Sequence, residues 1–398
     1  MRYHVDVWSD TEVSGWAHDS AYPDAHVPIE VRFRDRVLGH VIAETPRGDL
    51  AALRPDGACA FRIPLNSFAI GVRQQLNLRL PNGQILTRPA TSPDVNNLQS
   101  GHSAFGSLWI DRPDWIETLR QKQTEGLSEE VAIRIFQFVR DGFVVIPQAV
   151  APEVVAKVNA AVEAAWASTD SGLFMETFTK DVKGVQIIPV DQKHRYGPTK
   201  LLDTYARLEA ARAASSAPAV VEFLTAIFEE PPRAFQQLHF TRGSQQPVHK
   251  DTAYVKIDSN PMAIAATWLA LEDISEGTGE LEYYVGSHHA PDFKFGGINK
   301  WISQKPDDHD EFLQSLHRDA ETYRQRKHSF LGKAGDVLIW HADLAHGGSR
   351  VAHPEKTRKS LVTHYTGVNE DPHYLRTVNF QSLSHDGVMF SSNYSDVI

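Results

Sequence analysis

Between Ser128 and Asp141 the apolar residues fall at Val131, Ile135, Phe138 and Val139, a 3.6-residue stripe behind a serine placed to cap a helix. Gly142 breaks that helix, and Phe143-Val144-Val145-Ile146-Pro147 reads as a buried strand. Pro152 opens a second predicted helix, over 152–166, at the position that favours proline, and a third covers 217–228. Upstream the pattern changes. Ile29-Glu30-Val31-Arg32-Phe33 alternates apolar and charged as a half-buried strand does, and 37–42, 60–65 and 76–80 are further strands. Tyr22-Pro23-Asp24, Pro46-Arg47-Gly48-Asp49 and Pro81-Asn82-Gly83 separate them as turns. Residues 1–87 therefore read as a small all-β domain. The polar stretch 88–104, with Pro89 and Pro93, reads as a linker, and 105–398 as one larger domain. In that domain helices lie between 105 and 230, strands run from 234 to 365, and the charged segment 307–326 is an inserted helix.

Composition narrows the classes. Of 398 residues 41% are hydrophobic and 23% charged, a globular balance. The net charge of −10 argues against a nucleic-acid partner. One cysteine, Cys59, excludes an intrachain disulfide and any multi-cysteine metal site; it reads as a small buried hydrophobe. No apolar run is long enough for a membrane span, and the N-terminus lacks the apolar stretch of a secretory signal, so a cytoplasmic protein is expected. The 19 histidines direct attention to metal chemistry.

In Pro247-Val248-His249-Lys250-Asp251 an extended backbone points residues two apart to one face, so His249 and Asp251 can converge. Further on, Gly335-Asp336 launches the apolar strand Val337-Leu338-Ile339-Trp340, and His346 follows just beyond its end. Two imidazoles and one carboxylate on one side of a metal leave adjacent positions open, the arrangement used by non-haem Fe(II) oxygenases. Alone, a His-x-Asp pair is a common strand-end accident. Its weight comes from His346 and from Arg358, whose guanidinium at the start of the next apolar strand suits bidentate binding of a carboxylate such as the remote one of 2-oxoglutarate.

From Glu129 to Tyr365 the chain resembles the phytanoyl-CoA dioxygenase family of Fe(II)/2-oxoglutarate oxygenases. The matching segments, in order, are Phe138 to Pro147, Val248-His249-Lys250-Asp251-Thr252-Ala253-Tyr254, Trp268 to Asp273 with Gly279 to Glu282 and Gly286-Ser287-His288, and His346-Gly347-Gly348-Ser349 with Arg358-Lys359-Ser360-Leu361. The resemblance implies a mainly β fold with flanking helices, a double-stranded β-helix (jelly roll) over about 234–366. It implies Fe(II) held by His249, Asp251 and His346, with 2-oxoglutarate and O₂ as cosubstrates. It places Arg358 on the far carboxylate of 2-oxoglutarate, Ser360 beside it, Trp268 along the pocket, and Lys200 and Gln237 as further cosubstrate contacts. The expected partner is a small organic substrate that is hydroxylated or otherwise oxidised, with succinate and CO₂ released; homo-oligomerisation is left open.

The family's Pro-Gly-Ser-His stands here as Val285-Gly286-Ser287-His288, and its Lys-Pro-Pro-Gly as Thr241-Arg242-Gly243-Ser244, which alters the active-site mouth. The presence of Asp251 argues against halogenation, because halogenating relatives carry a small residue there. A non-catalytic carbohydrate-binding protein with an oxygenase-like domain is a competing class, disfavoured by the intact triad and arginine. A zinc hydrolase on the same ligand set is another, and it has no use for Arg358. His341 reads as a strand residue near the pocket, His288 and His289 as turn residues, and His309, His317 and His328 as part of a solvated face. Tyr254 either meets substrate or fills the barrel. The segment 292–327, with Phe293, Phe295 and Trp301, is a candidate lid. Val13-Ser14-Gly15-Trp16-Ala17 and its neighbours resemble a small bacterial β-sandwich module, with Trp8 and Trp16 read as core rather than sugar platforms.

Overall fold

The computed structural model describes residues 1–9, 11–33, 36–65, 68, 72–73, 75–87, 103, 105–178, 185–302 and 306–398. The segment read as a linker, 88–104, lies outside the described residues except at Ser103. Two compact units are present. One comprises residues 1–107, 253–261 and 291–312, and the other 108–252, 262–290 and 313–398. Two short pieces of the strand-rich half thus group with the N-terminal residues.

Among its described residues the first unit carries the strands β1 (Arg2–Trp8), β2 (Glu12–His18), β3 (Val27–Phe33), β4 (Arg36–Ala43), β5 (Thr45–Pro46), β6 (Ala58–Pro64), β7 (Leu76–Arg79) and β8 (Ile85–Thr87). They form two antiparallel sheets, β1-β2-β6-β5 and β4-β3-β7-β8, around one core that includes Val13, Ile29, Val31, Phe61 and Ile63. The module is all-β, as its turn spacing predicts. Ile298, from the piece 291–312, is buried in this same core. Trp16 packs on Leu50, Cys59 and Ala60, and Cys59 is a buried free thiol.

In the second unit Ser128 caps the helix Glu129–Asp141, its hydroxyl accepting from the Val131 amide. Gly142 ends that helix at φ 82°, a left-handed turn where a Cβ would also lie 2.5 Å from Nδ1 of His288. Helices Pro152–Ala167 and Pro218–Phe228 follow, each with proline in its first turn. The strands are β9 (Phe143–Ile146), β10 (Phe174–Phe178), β11 (Val185–Pro189), β12 (Lys200–Leu202), β13 (Pro232–Phe240), β14 (Ala265–Ala270), β15 (Leu281–Tyr284), β16 (Lys327–Phe330), β17 (Val337–His341), β18 (His346–Gly348), β19 (Ser360–Gly367), β20 (Leu383–His385) and β21 (Val388–Phe390). The larger sheet runs β11-β10-β12-β13-β19-β14-β17-β9, with β20 and β21 attached at β13, and the smaller runs β16-β15-β18. This is a mainly β double-stranded β-helix with flanking helices. β10, β11 and β12 widen the large sheet within 105–230, where the sequence suggests helices and the one strand 143–147.

β14, β17 and β19, inside the large sheet, are buried along their whole length, and β14 and β17 are correspondingly almost all apolar, whereas β19 also carries Ser360, Thr363, His364 and Thr366. Alternate residues divide between two cores. Ala265, Leu269, Val337, Ile339, Leu361 and Tyr365 face the helices. Ala266, Trp268, Leu338, Trp340 and Val362 face the barrel interior, where Leu281, Tyr283 and Phe330 of the small sheet meet them. That parity decides which side chains can reach a site inside the barrel. Among the described residues no helix is long and apolar enough to cross a membrane.

Candidate metal centre

His249 and His346, the first residue of β18, pair as an antiparallel bridge. Their backbones exchange two hydrogen bonds, and their ring centroids lie 4.5 Å apart. Each ring turns Nδ1 to a carbonyl two residues back, His249 to Pro247 at 2.8 Å and His346 to Leu344 at 2.9 Å. A carbonyl only accepts, so Nδ1 carries a proton in each ring and Nε2 is the nitrogen turned towards the site, the orientation that ligates metals. The Gln246 side-chain amide, 3.2 Å from Nε2 of His249, fits the same assignment as donor. Asp251, in the turn that follows, brings Oδ1 to 3.6 Å from Nε2 of His346 and 3.8 Å from Nε2 of His249.

The three ligand-type atoms all lie within 4.8 Å of one another, and among the described residues no other group of three or more such side chains converges in this way. Burial, with the neighbouring His346, pushes the His249 imidazole down to about 3, so it is neutral at physiological pH. Burial works to raise Asp251, but His346, His364 and His249 outweigh it and hold the carboxyl below its ordinary range. Two imidazoles and one ionised carboxylate, converging through ligand-type atoms, fit a divalent metal.

These residues line one cavity together with Leu238, Phe240, Trp268, Trp340, Arg358 and Val362. Arg358 is buried, its guanidinium 5.2 Å from the Trp268 ring and 5.4 Å from that of Phe240. Nη1 donates to the Ser360 hydroxyl at 2.8 Å, and Nε has no partner among the described residues. Burial lowers its pKa to about 10, opposed by Glu280 and Glu272, and it stays cationic at neutral pH. No described carboxylate forms a salt bridge with it. A buried guanidinium of this kind, with a donor unspent, is built to receive an anion.

Other residues singled out in the sequence lie elsewhere. Lys200 pairs with Glu176 at 2.9 Å and lines an adjoining cavity with Arg242, Gln245 and Gln246; the two cavities share Phe240, Ser244 and Gln246. Gln237 is not brought to the site. On β13 the barrel-facing residues are Leu238 and Phe240, so Gln237 points to the opposite face. There its amide is spent on Thr204, Tyr205, Ser215 and Thr363. His341 meets Asp111 at 2.9 Å, and His288 meets the Val139 carbonyl at 2.9 Å. His309 is half-buried rather than solvated, bonded to the Tyr254 hydroxyl at 2.7 Å. Phe293 and Phe295 pack on Phe312, and Trp301 donates to the Tyr254 carbonyl. No described residue of 291–327 lines the triad cavity.

Two residues beside the triad have no sequence signal of their own. Trp340 donates its indole N–H to Oδ2 of Asp251 at 2.7 Å, and Nε2 of His364 lies 3.4 Å from the same oxygen. Strand parity is the one cue that places both on the barrel face, as it does Leu338 and Val362.

A buried two-histidine, one-carboxylate group inside a double-stranded β-helix is a donor set that could hold one metal ion in the facial manner. The sequence matches the phytanoyl-CoA dioxygenase family model over residues 138–359, more than half of the chain, and the protein belongs to that family. It is accordingly an Fe(II)/2-oxoglutarate-dependent oxygenase. No curated protein matches the sequence. Similar solved structures include SnoK, the non-haem α-ketoglutarate-dependent carbocyclase from nogalamycin biosynthesis, at 17% identity and TM-score 0.45, covering 62% of this chain and 86% of that one. EctD from S. alaskensis with 2-oxoglutarate and 5-hydroxyectoine is 17% identical, TM-score 0.43, covering 61% and 76%. AviO1 from Streptomyces viridochromogenes is 17% identical, TM-score 0.42, covering 62% and 98%.

Proposed function

We propose that this oxygenase hydroxylates a small organic substrate, with His249, Asp251 and His346 as the iron ligands and Arg358 as the anchor for the far carboxylate of 2-oxoglutarate. The observation that carries the reading is the meeting, in one cavity, of three convergent ligand atoms and a buried guanidinium without a carboxylate partner. Bound iron, 2-oxoglutarate and O₂ supply the oxidising chemistry, and succinate and CO₂ leave as coproducts. The chain's own part is placement and shielding. Arg358 and Ser360 fix one end of the dicarboxylate, Trp268 and Phe240 wall it, and Leu238, Leu281 and Val362 keep water from the reacting carbon. The carboxylate at 251 occupies the ligand position that a halide needs, which favours oxygen insertion over halogenation.

The adjoining cavity beside Phe240, with the charged Lys200, Glu176 and Arg242 in its wall, is where substrate approaches. Succinate formation from 2-oxoglutarate under air, with added Fe(II) and fractionated metabolite pools, tests the reading. Iron-dependent succinate that rises with one fraction is expected. No turnover with any fraction, and none uncoupled, contradicts it.

A further inference from the structure

The two oxygens of Asp251 meet different surroundings. Oδ1 faces Nε2 of His346 and of His249, at 3.6 and 3.8 Å. Oδ2 turns the other way, to the Trp340 N–H at 2.7 Å and Nε2 of His364 at 3.4 Å. An indole N–H can only donate, so the Trp340 bond commits Oδ2 as an acceptor. His364 is 4% exposed, and its Nε2 meets no described polar atom nearer than this oxygen of Asp251, at 3.4 Å.

The sheet explains how two large rings reach one carboxylate oxygen. Ala266 of β14 pairs with Trp340 of β17 on one side and His364 of β19 on the other, so the three form a single row across three strands. The small residue in the middle leaves room between the rings, which stand nearly perpendicular with centroids 6.3 Å apart. The row faces the barrel interior beneath Asp251.

We propose that Trp340 and His364 are a positioning pair that reserves Oδ2 of Asp251 and presents Oδ1 alone to the metal. This rests on the triad being the metal site. A carboxylate free to turn can bind through both oxygens and take up a position that cosubstrate or O₂ needs. Held as it is here, Asp251 contributes one ligand and the open face is preserved.

Equilibrium titration of the full chain with Co(II), followed by its ligand-field spectrum, tests this. Trp340→Phe keeps the ring and removes the donor; it should weaken Co(II) binding by about tenfold to a hundredfold and alter the spectrum, with the KM for 2-oxoglutarate unmoved. His364→Phe should weaken binding several-fold in the same direction. Co(II) affinity within about twofold of the native chain and a native spectrum in both variants overturn the proposal, since loss of such a partner otherwise costs far more. If Trp340→Phe does not fold, His364→Phe decides on the same two readings. Failure of the native chain to bind Co(II), or binding that survives His249→Ala, contradicts the triad itself and takes the proposal with it.

Discussion

His249 and His346, far apart in the chain, are hydrogen-bonded partners: the amide of each donates to the carbonyl of the other, at 2.8 and 2.9 Å. Their side chains therefore leave the bridge on one side, and the backbone rather than the side chains sets the spacing of the two imidazoles. Gly347 makes the approach possible, since a Cβ there would lie 2.8 Å from the Gln246 carbonyl oxygen and 2.9 Å from the Val248 nitrogen. Gly347→Ala is expected to push the two strands apart and weaken metal binding while the chain stays folded. Metal titration and circular dichroism together check it, and native affinity would show that the bridge tolerates the shift.

His249→Ala, Asp251→Ala and His346→Ala are each expected to abolish iron-dependent succinate formation, because each removes one of three convergent ligands. Turnover near the native level in any one variant removes that residue from the set.

Truncating Arg358 leaves a bound carboxylate without its buried partner, a loss of about 2–5 kcal/mol. Arg358→Ala should then raise the KM for 2-oxoglutarate tens-fold or more, with Arg358→Lys intermediate, since a point charge cannot reproduce the fork that holds Ser360. Lys359, whose side chain reaches Glu163 at 3.6 Å, should be insensitive. A larger defect in Lys359→Ala would move the anchor by one residue.

His239 lies on the face of β13 turned from the cavity, and burial, helped by Lys359, holds its imidazole down at about 3 against the ordinary 6.5. In the unfolded chain it takes up a proton as pH falls through 6.5, and in the folded chain only near 3. Its contribution to stability is thus present above pH 6.5 and is lost progressively on acidification towards 3. His239→Phe should flatten this slope by on the order of 1–3 kcal/mol at about pH 4, read by denaturant unfolding there and at about pH 7. An unchanged slope would show that the ring is solvated.

Removing residues 1–104 is expected to lower the melting temperature and expose 291–312 to protease. Ile298 would lose the core it shares with Val13 and Ile29, and the Asp258 carbonyl its buried donor Arg73. A shortened chain as stable and protease-resistant as the full one would show that those pieces hold without the module.

The parts of the centre carried by local chemistry are readable from the sequence. His249 and Asp251 sit two residues apart, and His346 and Arg358 flank consecutive apolar strands. Helix 129–141 announces itself by its stripe, its serine cap and Gly142. What escapes depends on pairing between distant strands. Trp340 and His364 reach Asp251 only because β17 and β19 both flank Ala266, and in strands buried on both faces hydropathy does not say which of the two parities faces the barrel. Gln237 is misread from the sequence for the same reason. β10, β11 and β12 are short or partly exposed, and β11 alternates without a strongly apolar face. The grouping of 253–261 and 291–312 with the N-terminal residues is likewise a matter of tertiary contact, invisible to local composition.

The most direct measurement is the binding of 2-oxoglutarate, titrated without oxygen in the presence and absence of Fe(II), which needs no knowledge of the substrate. One equivalent is expected to bind, dependent on Fe(II), and to be lost in both His249→Ala and Arg358→Ala. Absence of binding, or binding indifferent to iron and to both substitutions, would contradict the proposed site.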